Sequence, residues 1–285
     1  MQRVASAMPV AFMLWVFAFG AIVGSFLNVV IARVPAGQSI VSPRSRCIAC
    51  GKPIAWYDNI PVVSWLLLRA RCRNCGVRIS PRYVLVEVAT GILAVALVQH
   101  AGLTWGTVGY FAFTATLVAL AYIDLETWLL PHQITWPLLA VGLVSPLWNR
   151  DVRWIDSAIG AAAGFAAFTA IALFGEKILK RETMGWGDVW LIAAIGAWLG
   201  WPALLPVTLL SAVQGAIAGT IVLASRGKDR ASPPEAAAPP ADGEWVPPKH
   251  AVPYGPFLSL SALEFLFFGD RLVTSWNHLM FRLVS

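Results

Sequence analysis

Charge is scarce in this 285-residue chain: Lys, Arg, Asp and Glu together make up 13% of it, against 58% apolar residues. An ordinary soluble domain carries about twice that share of charge, so a soluble globular protein is excluded. Disorder is excluded as well, because a chain with 14 Trp and 14 Phe cannot stay solvated. Cysteine is limited to four residues, all between positions 47 and 75, which leaves nothing for a disulfide framework spread over the chain. No internal repeat of solenoid length is present beyond a doubled cysteine pair.

What the sequence has in quantity is apolar length. Runs at 9–33, 84–101, 106–124, 133–148, 155–175, 187–200, 202–224 and 256–281 approach or exceed the roughly twenty residues that cross a hydrocarbon core. They predict an all-α polytopic membrane protein with about eight transmembrane helices. The first run shows no small-residue cleavage pattern and continues through Gly24-Ser25-Phe26-Leu27-Asn28 to Arg33, so it is read as a retained helix. Trp128, Trp136, Trp148, Trp154, Trp198 and Trp201 fall near helix ends and are read as an interfacial belt.

The division of the chain follows from these runs: a first transmembrane helix in 1–34, a polar loop in 35–82, membrane helices two to seven in 83–224, a flexible Pro/Ala-rich linker in 225–255, and a last helix in 256–285. The 35–82 loop carries Arg44, Arg46, Lys52, Arg69, Arg71, Arg73, Arg78 and Arg82 against Asp58. The positive-inside rule therefore puts it in the cytoplasm and explains the net charge of +6 without nucleic acid. With eight alternating helices, the loops near 125–132 and 176–186 and the linker fall on the same side. The outward loop 149–154, with Arg150 and Arg153, dissents mildly.

Within the loop, Cys47-Ile-Ala-Cys50-Gly51 is echoed by Cys72-Arg-Asn-Cys75-Gly76. Two residues between cysteines let both thiolates reach one ion, and two such pairs complete a tetrahedral zinc site. Disulfides are disfavoured in a reducing compartment. With all four positions filled by protein, the Zn²⁺ is expected to be structural, folding a small zinc-knuckle domain that is too small for its own core.

Ionisable groups inside membrane helices are costly and invite a functional explanation. Asp124 ends the third run, and Asp188 begins the sixth within Gly185-Trp186-Gly187-Asp188. Helix alternation puts both at the cytoplasmic face, where two neighbouring carboxyls share a proton and can divide the roles of general base and general acid. Gly185 and Gly187 allow a bent backbone or a close-lying substrate. Taken singly, each Asp also reads as a helix cap. Glu126, Glu176, Glu182, Glu264 and Asp270 are read as interfacial or solvated groups, and His132 and His250 as loop residues without metal-ligand spacing. Arg33 is read as an interfacial anchor and Asn28 as either a substrate-orienting or a capping group.

Several segments together resemble the type IV prepilin peptidase family, the leader peptidases and N-methyltransferases of bacterial pilus and type II secretion systems. They are Gly24-Ser25-Phe26-Leu27-Asn28-Val29-Val30, Ser42-Pro43-Arg44-Ser45-Arg46-Cys47, Asp58-Asn59-Ile60-Pro61, the four cysteines, Arg82-Tyr83, Ile123-Asp124, Leu130-Pro131, the 185–188 tetrapeptide, the 196–200 segment and Tyr254-Gly255-Pro256-Phe257-Leu258. The resemblance implies that Asp124 and Asp188 are the catalytic pair and that the substrates are type IV prepilins and type II secretion pseudopilins. It further implies cleavage of a short basic leader just after a glycine, then methylation of the new N-terminus from S-adenosylmethionine. The expected home is the bacterial inner membrane, among lipid, with the active site and zinc loop facing the cytoplasm. Ala70 stands where relatives often have Gly, in a region associated with methyl transfer, so a peptidase-only member is the alternative. A proton- or cation-coupled transporter and a catalytically inert zinc-knuckle scaffold are the readings from other classes.

Overall fold

The computed structural model describes residues 8–179, 184–225 and 252–284. Helices occupy all eight apolar runs: α1 (Val10–Arg33), α3 (Arg82–Ala101), α4 (Trp105–Thr127), α5 (His132–Val144), α6 (Trp154–Leu179), α7 (Trp186–Leu199), α8 (Leu204–Ser225) and α9 (Gly255–Val284), with a five-residue α2 (Val63–Leu67) in the first loop. No strand occurs among the described residues beyond two isolated bridges, Arg46 with Pro53 and Arg71 with Arg78. The linker residues 226–251, Glu182 and His250 lie outside the description, as does the side chain of Asp270.

Five of the helices, α1, α3, α4, α6 and α8, are long and apolar enough to cross a bilayer. The apolar helices at Trp186–Leu199 and Gly255–Gly269 are shorter, and α5 has 13 residues. At 1.5 Å per residue, α5 is about 20 Å long and falls short of a hydrocarbon core of about 30 Å. The chain is a multi-pass membrane protein whose shorter helices are packed among the longer ones.

Two features of composition build the bundle. Small residues let helices close on one another: Gly160 of α6 and Gly196 of α7 lie backbone to backbone, each where the other's carbonyl would meet a Cβ. Large side chains fill the remaining space. Trp198, expected at an interface, is instead 1% exposed. It stacks on Phe113 with ring centroids 5.1 Å apart and donates its indole N–H to the Leu138 carbonyl at 2.9 Å. That hydrogen bond is what permits a buried indole, and it ties α7 to α5. On the other side, α1 packs along α3, with Gly24 against the backbone of Glu87. Asn28 is buried there and donates to the Tyr83 carbonyl at 3.0 Å. Arg33 donates to the carbonyls of Ser39 and Pro43 at 2.9 and 2.8 Å, shaping the chain as it leaves α1.

The α6–α7 contact generates a direct expectation. Gly196→Ala pushes a methyl into the Gly160 backbone, and such overpacking costs about 1–3 kcal/mol. Gly219→Ala in α8 has open space. Thermal unfolding in detergent should show the first variant melting well below the parent and the second unchanged.

Candidate active site and metal centre

Asp124 sits in the last turn of α4, which ends because Trp128 turns left-handed (φ 57°) and returns its N–H to the Asp124 carbonyl. Asp188 is the third residue of α7, three positions after the N-cap Gly185, and no side chain caps that helix. Neither aspartate is therefore an N-cap. Asp188 gains from the positive end of the helix dipole, whereas Asp124 lies at the negative end, where a carboxylate is disfavoured. Both are buried, at 5% and 9% exposure.

The two come together around Leu130 in the turn after α4. A Cβ on Gly187 would lie 2.5 Å from the Leu130 Cβ, so only glycine fits beside it. A Cβ on Gly255, the first residue of α9, would lie 2.7 Å from Asp124 Oδ2 and 3.3 Å from Leu130 Cδ1. Gly255 instead donates its backbone N–H to Asp124 Oδ2 at 2.9 Å. Asp188 follows Gly187 directly, so it enters the site beside the same Leu130, and its Oδ1 is buried with no hydrogen-bond partner among the described residues. A carboxyl pair with one oxygen held by a backbone donor and another unengaged is equipped to handle a water molecule and its proton.

The other carboxylates have different employment. Glu126 pairs with Arg82 at 2.6 Å through Oε1, joining the end of α4 to the start of α3, and Glu264 accepts from Gln214 at 2.7 Å. Glu176 is exposed. His132 opens α5 rather than sitting in a loop, and stacks on Trp136 at 5.3 Å.

In the 35–82 loop the four cysteine Sγ atoms all lie within 4.8 Å of one another, and Cys47 and Cys75 are 3.7 Å apart. A tetrahedral zinc with Zn–S bonds of about 2.3 Å requires sulfurs about 3.8 Å apart, so the donor set fits the ion. Each half is the same knuckle. Gly51 and Gly76, at φ +70° and +72°, return their N–H to the Cys47 and Cys72 carbonyls at 2.9 Å. The backbone N–H groups of Cys50 and then Ala49 lower the Cys47 thiol to about 6, while Cys75, despite the Val77 N–H, is pushed up to about 11 by burial and by the neighbouring cysteine side chains, so the four sulfurs share charge unequally. Arg73 grips Asp58 with two parallel bonds of 2.6 and 2.8 Å and holds its carboxyl below the usual range. Ala70, where a glycine was the expected residue, keeps a left-handed backbone at φ 57°, and its carbonyl accepts the Ile79 N–H at 2.7 Å.

Sequence reasoning passed over two groups here. Glu87, 8% exposed inside α3, accepts the N–H of Val62 at 2.7 Å and thereby fastens the loop to the bundle. Its one signal was a carboxylate within the 84–101 apolar run. The second is the backbone donor of Gly255, which no side-chain pattern advertises.

Comparison with known proteins places this geometry. The model of the bacterial peptidase A24 N-terminal domain matches residues 18–101, and that of the type IV leader peptidase family matches residues 111–220. A prepilin leader peptidase/N-methyltransferase from Myxococcus xanthus is 41% identical over 310 residues, covering 92% of this chain and 91% of that one. The chain belongs to the type IV leader peptidase family. Relatives of the same name from Aeromonas hydrophila and Stutzerimonas stutzeri are 36% and 33% identical, the first covering 96% of each chain and the second 94%. No solved structure matches the chain. The two family models meet the fold at sensible places: the first takes in most of α1, the cysteine loop and α3, and the second the stretch from within α4 into α8 that holds both aspartates.

Two outcomes are expected at these sites. Gly187→Ala should impair the protein's activity far more than Gly185→Ala, whose Cβ would meet nothing nearer than Asp188 Oδ2 at 3.7 Å; parallel assays of the purified variants decide this. Replacing any one of the four cysteines by Ser should lower bound zinc, measured by elemental analysis, from about one ion per chain. The same change should expose the loop to protease while the membrane helices persist by circular dichroism.

Proposed function

We propose that this chain is a membrane aspartic endopeptidase that removes the short leader from type IV prepilins and methylates the new N-terminal residue. The observation that carries the reading is the approach of two buried aspartates, from α4 and α7, to the same Leu130, in a chain of the type IV leader peptidase family. Relatives that match it end to end are named for both activities.

In this reading one aspartate takes a proton from the attacking water while the other gives one to the departing amine, and the roles then reset. Gly255 holds Asp124 in place through its N–H, so its carboxyl cannot swing away as the proton moves. Gly187 lets the backbone of α7 lie against Leu130, which sets where Asp188, the next residue, enters the site. The thiolates of Cys47, Cys50, Cys72 and Cys75 would hold one structural zinc, which supplies loop rigidity rather than a reacting centre. S-adenosylmethionine would serve as the methyl-donating co-substrate. Secretion pseudopilins, which share the leader chemistry the resemblance implies, are further substrates. The basic loop supports a site at the cytoplasmic face of the inner membrane, where a basic leader would lie.

The transporter reading is weakened by where the acids sit: both lie within one turn of a helix end, rather than at the midplane of broken helices. Asp124→Asn and Asp188→Asn should each cut leader removal by about 10²–10⁴-fold, the usual weight of a positioned acid or base, while insertion is unaffected. Incubating membranes with a prepilin and a labelled methyl donor reads both steps by product mass. Full cleavage by either variant defeats the assignment.

A further inference from the structure

Asp124 is gripped by a main-chain donor, and that donor is itself held. The Gly255 N–H that reaches Asp124 Oδ2 at 2.9 Å belongs to the same planar peptide group as the Tyr254 carbonyl. We infer that the hydroxyl pair of Ser211, on α8, and Tyr254, just before α9, is the positioning device for Asp124, anchoring the peptide group that grips its carboxyl; the inference rests on the peptidase reading above and adds two positioning residues to it.

Three observations support it. The first is the bond itself. Tyr254 Oη lies 2.6 Å from Ser211 Oγ, across 43 positions of sequence. Ser211 gives its single hydroxyl proton to the Thr208 carbonyl at 2.9 Å, so the phenol is the donor and Ser211 the acceptor. Ser211 is 0% exposed, and water does not compete for that bond.

The second is the work of the peptide group. The Tyr254 carbonyl accepts the N–H groups of Phe257 and Leu258 at 3.0 and 3.2 Å, which closes the first turn of α9. A peptide unit is rigid. With the Tyr254 side chain tied to α8 and its carbonyl aimed along α9, the N–H on the opposite edge is aimed as well, and it ends on Asp124. That N–H is among those at a helix start that have no acceptor within the helix, so the carboxyl has no rival for it in α9. The third observation is packing. A Cβ on Gly215 of α8 would lie 3.6 Å from Phe257 and 3.9 Å from Tyr254, so both rings rest beside the same bare position. Apolar packing is non-directional, and a ring that served packing alone would need no hydroxyl. The bond to Ser211 adds the direction.

Two measurements test this. No other tyrosine in the chain precedes a glycine, so protein with carbonyl-labelled tyrosine and nitrogen-labelled glycine gives one amide signal in a carbonyl-filtered NMR spectrum, that of Gly255. Asp124→Asn locates this signal without the carboxylate. Ser211→Ala should move it from the parent position toward the Asp124→Asn position, and a signal that stays in place overturns the inference. With a prepilin as substrate, Ser211→Ala and Tyr254→Phe should each lower kcat about tenfold while KM stays within about twofold, the pattern of a misplaced reacting group with substrate binding intact. The double variant should be no slower than either single one, because both remove the same bond. An unchanged kcat in either single variant, a KM that rises as kcat falls, or effects that multiply in the double variant each overturn the inference. Thr220→Ala removes an α8 hydroxyl bonded to its own helix at the Ala216 carbonyl and should leave signal and kinetics at parent values; a change as large as that of Ser211→Ala overturns it too. Failure of the parent protein to cleave prepilin at all would instead remove the peptidase reading, while the Gly255 signal still reports the tether, so the two failures are told apart.

Discussion

The site depends on how closely three chain segments approach Leu130. The turn after α4 brings Leu130, the start of α7 brings Gly187, and the start of α9 brings Gly255, each separated from its neighbour by less than one methyl group. Interiors packed to this density do not deform smoothly, so the carboxyls of Asp124 and Asp188 are placed by the same contacts that close the bundle. The rest of the fold serves that meeting. The glycine pair between α6 and α7, and the indole of Trp198 bonded to α5, fix the height and rotation of α7. In this way, packing energy spread over several helices is converted into the position of two side chains.

Two chemically identical acids receive unlike surroundings. Asp188 faces the positive end of its own helix and has an unengaged oxygen; Asp124 faces the negative end of its helix and borrows a donor from the beginning of another. Division of labour between an acid and a base requires this kind of asymmetry. It is produced here by opposite chain directions at one depth: α4 arrives at the point that α7 and α9 leave.

Much of this was legible because its causes are local. Apolar run length answers to the bilayer alone, and the eight expected runs agree with the helices to within a few residues at most ends. The cysteine knuckles are set by spacing and by a glycine at the turn, both contained in a few residues. What escaped depends on contacts between distant segments. Asp124 and Gly255 are 131 positions apart, and the donor is a main-chain group that every residue but proline possesses. Glu87 looks like an ordinary interruption of an apolar run until Val62, 25 positions earlier, is found beside it. Trp198 ends a run and so resembled a belt residue, yet Gly142 and Gly109 clear the space that takes it into the core.

Between the two cysteine knuckles the backbone turns through a left-handed pair, Arg69 and Ala70, at φ 51° and 57°. An L-residue in that conformation sits about 1–2 kcal/mol above its right-handed alternative, and neither residue is glycine. The kink is held by its own hydrogen bonds, the Ala70 N–H on the Trp65 carbonyl and the Ile79 N–H on the Ala70 carbonyl. Those bonds set the direction in which the chain runs on into the Cys72 knuckle, while Glu87, through Val62, ties the other side of the loop to the membrane helices.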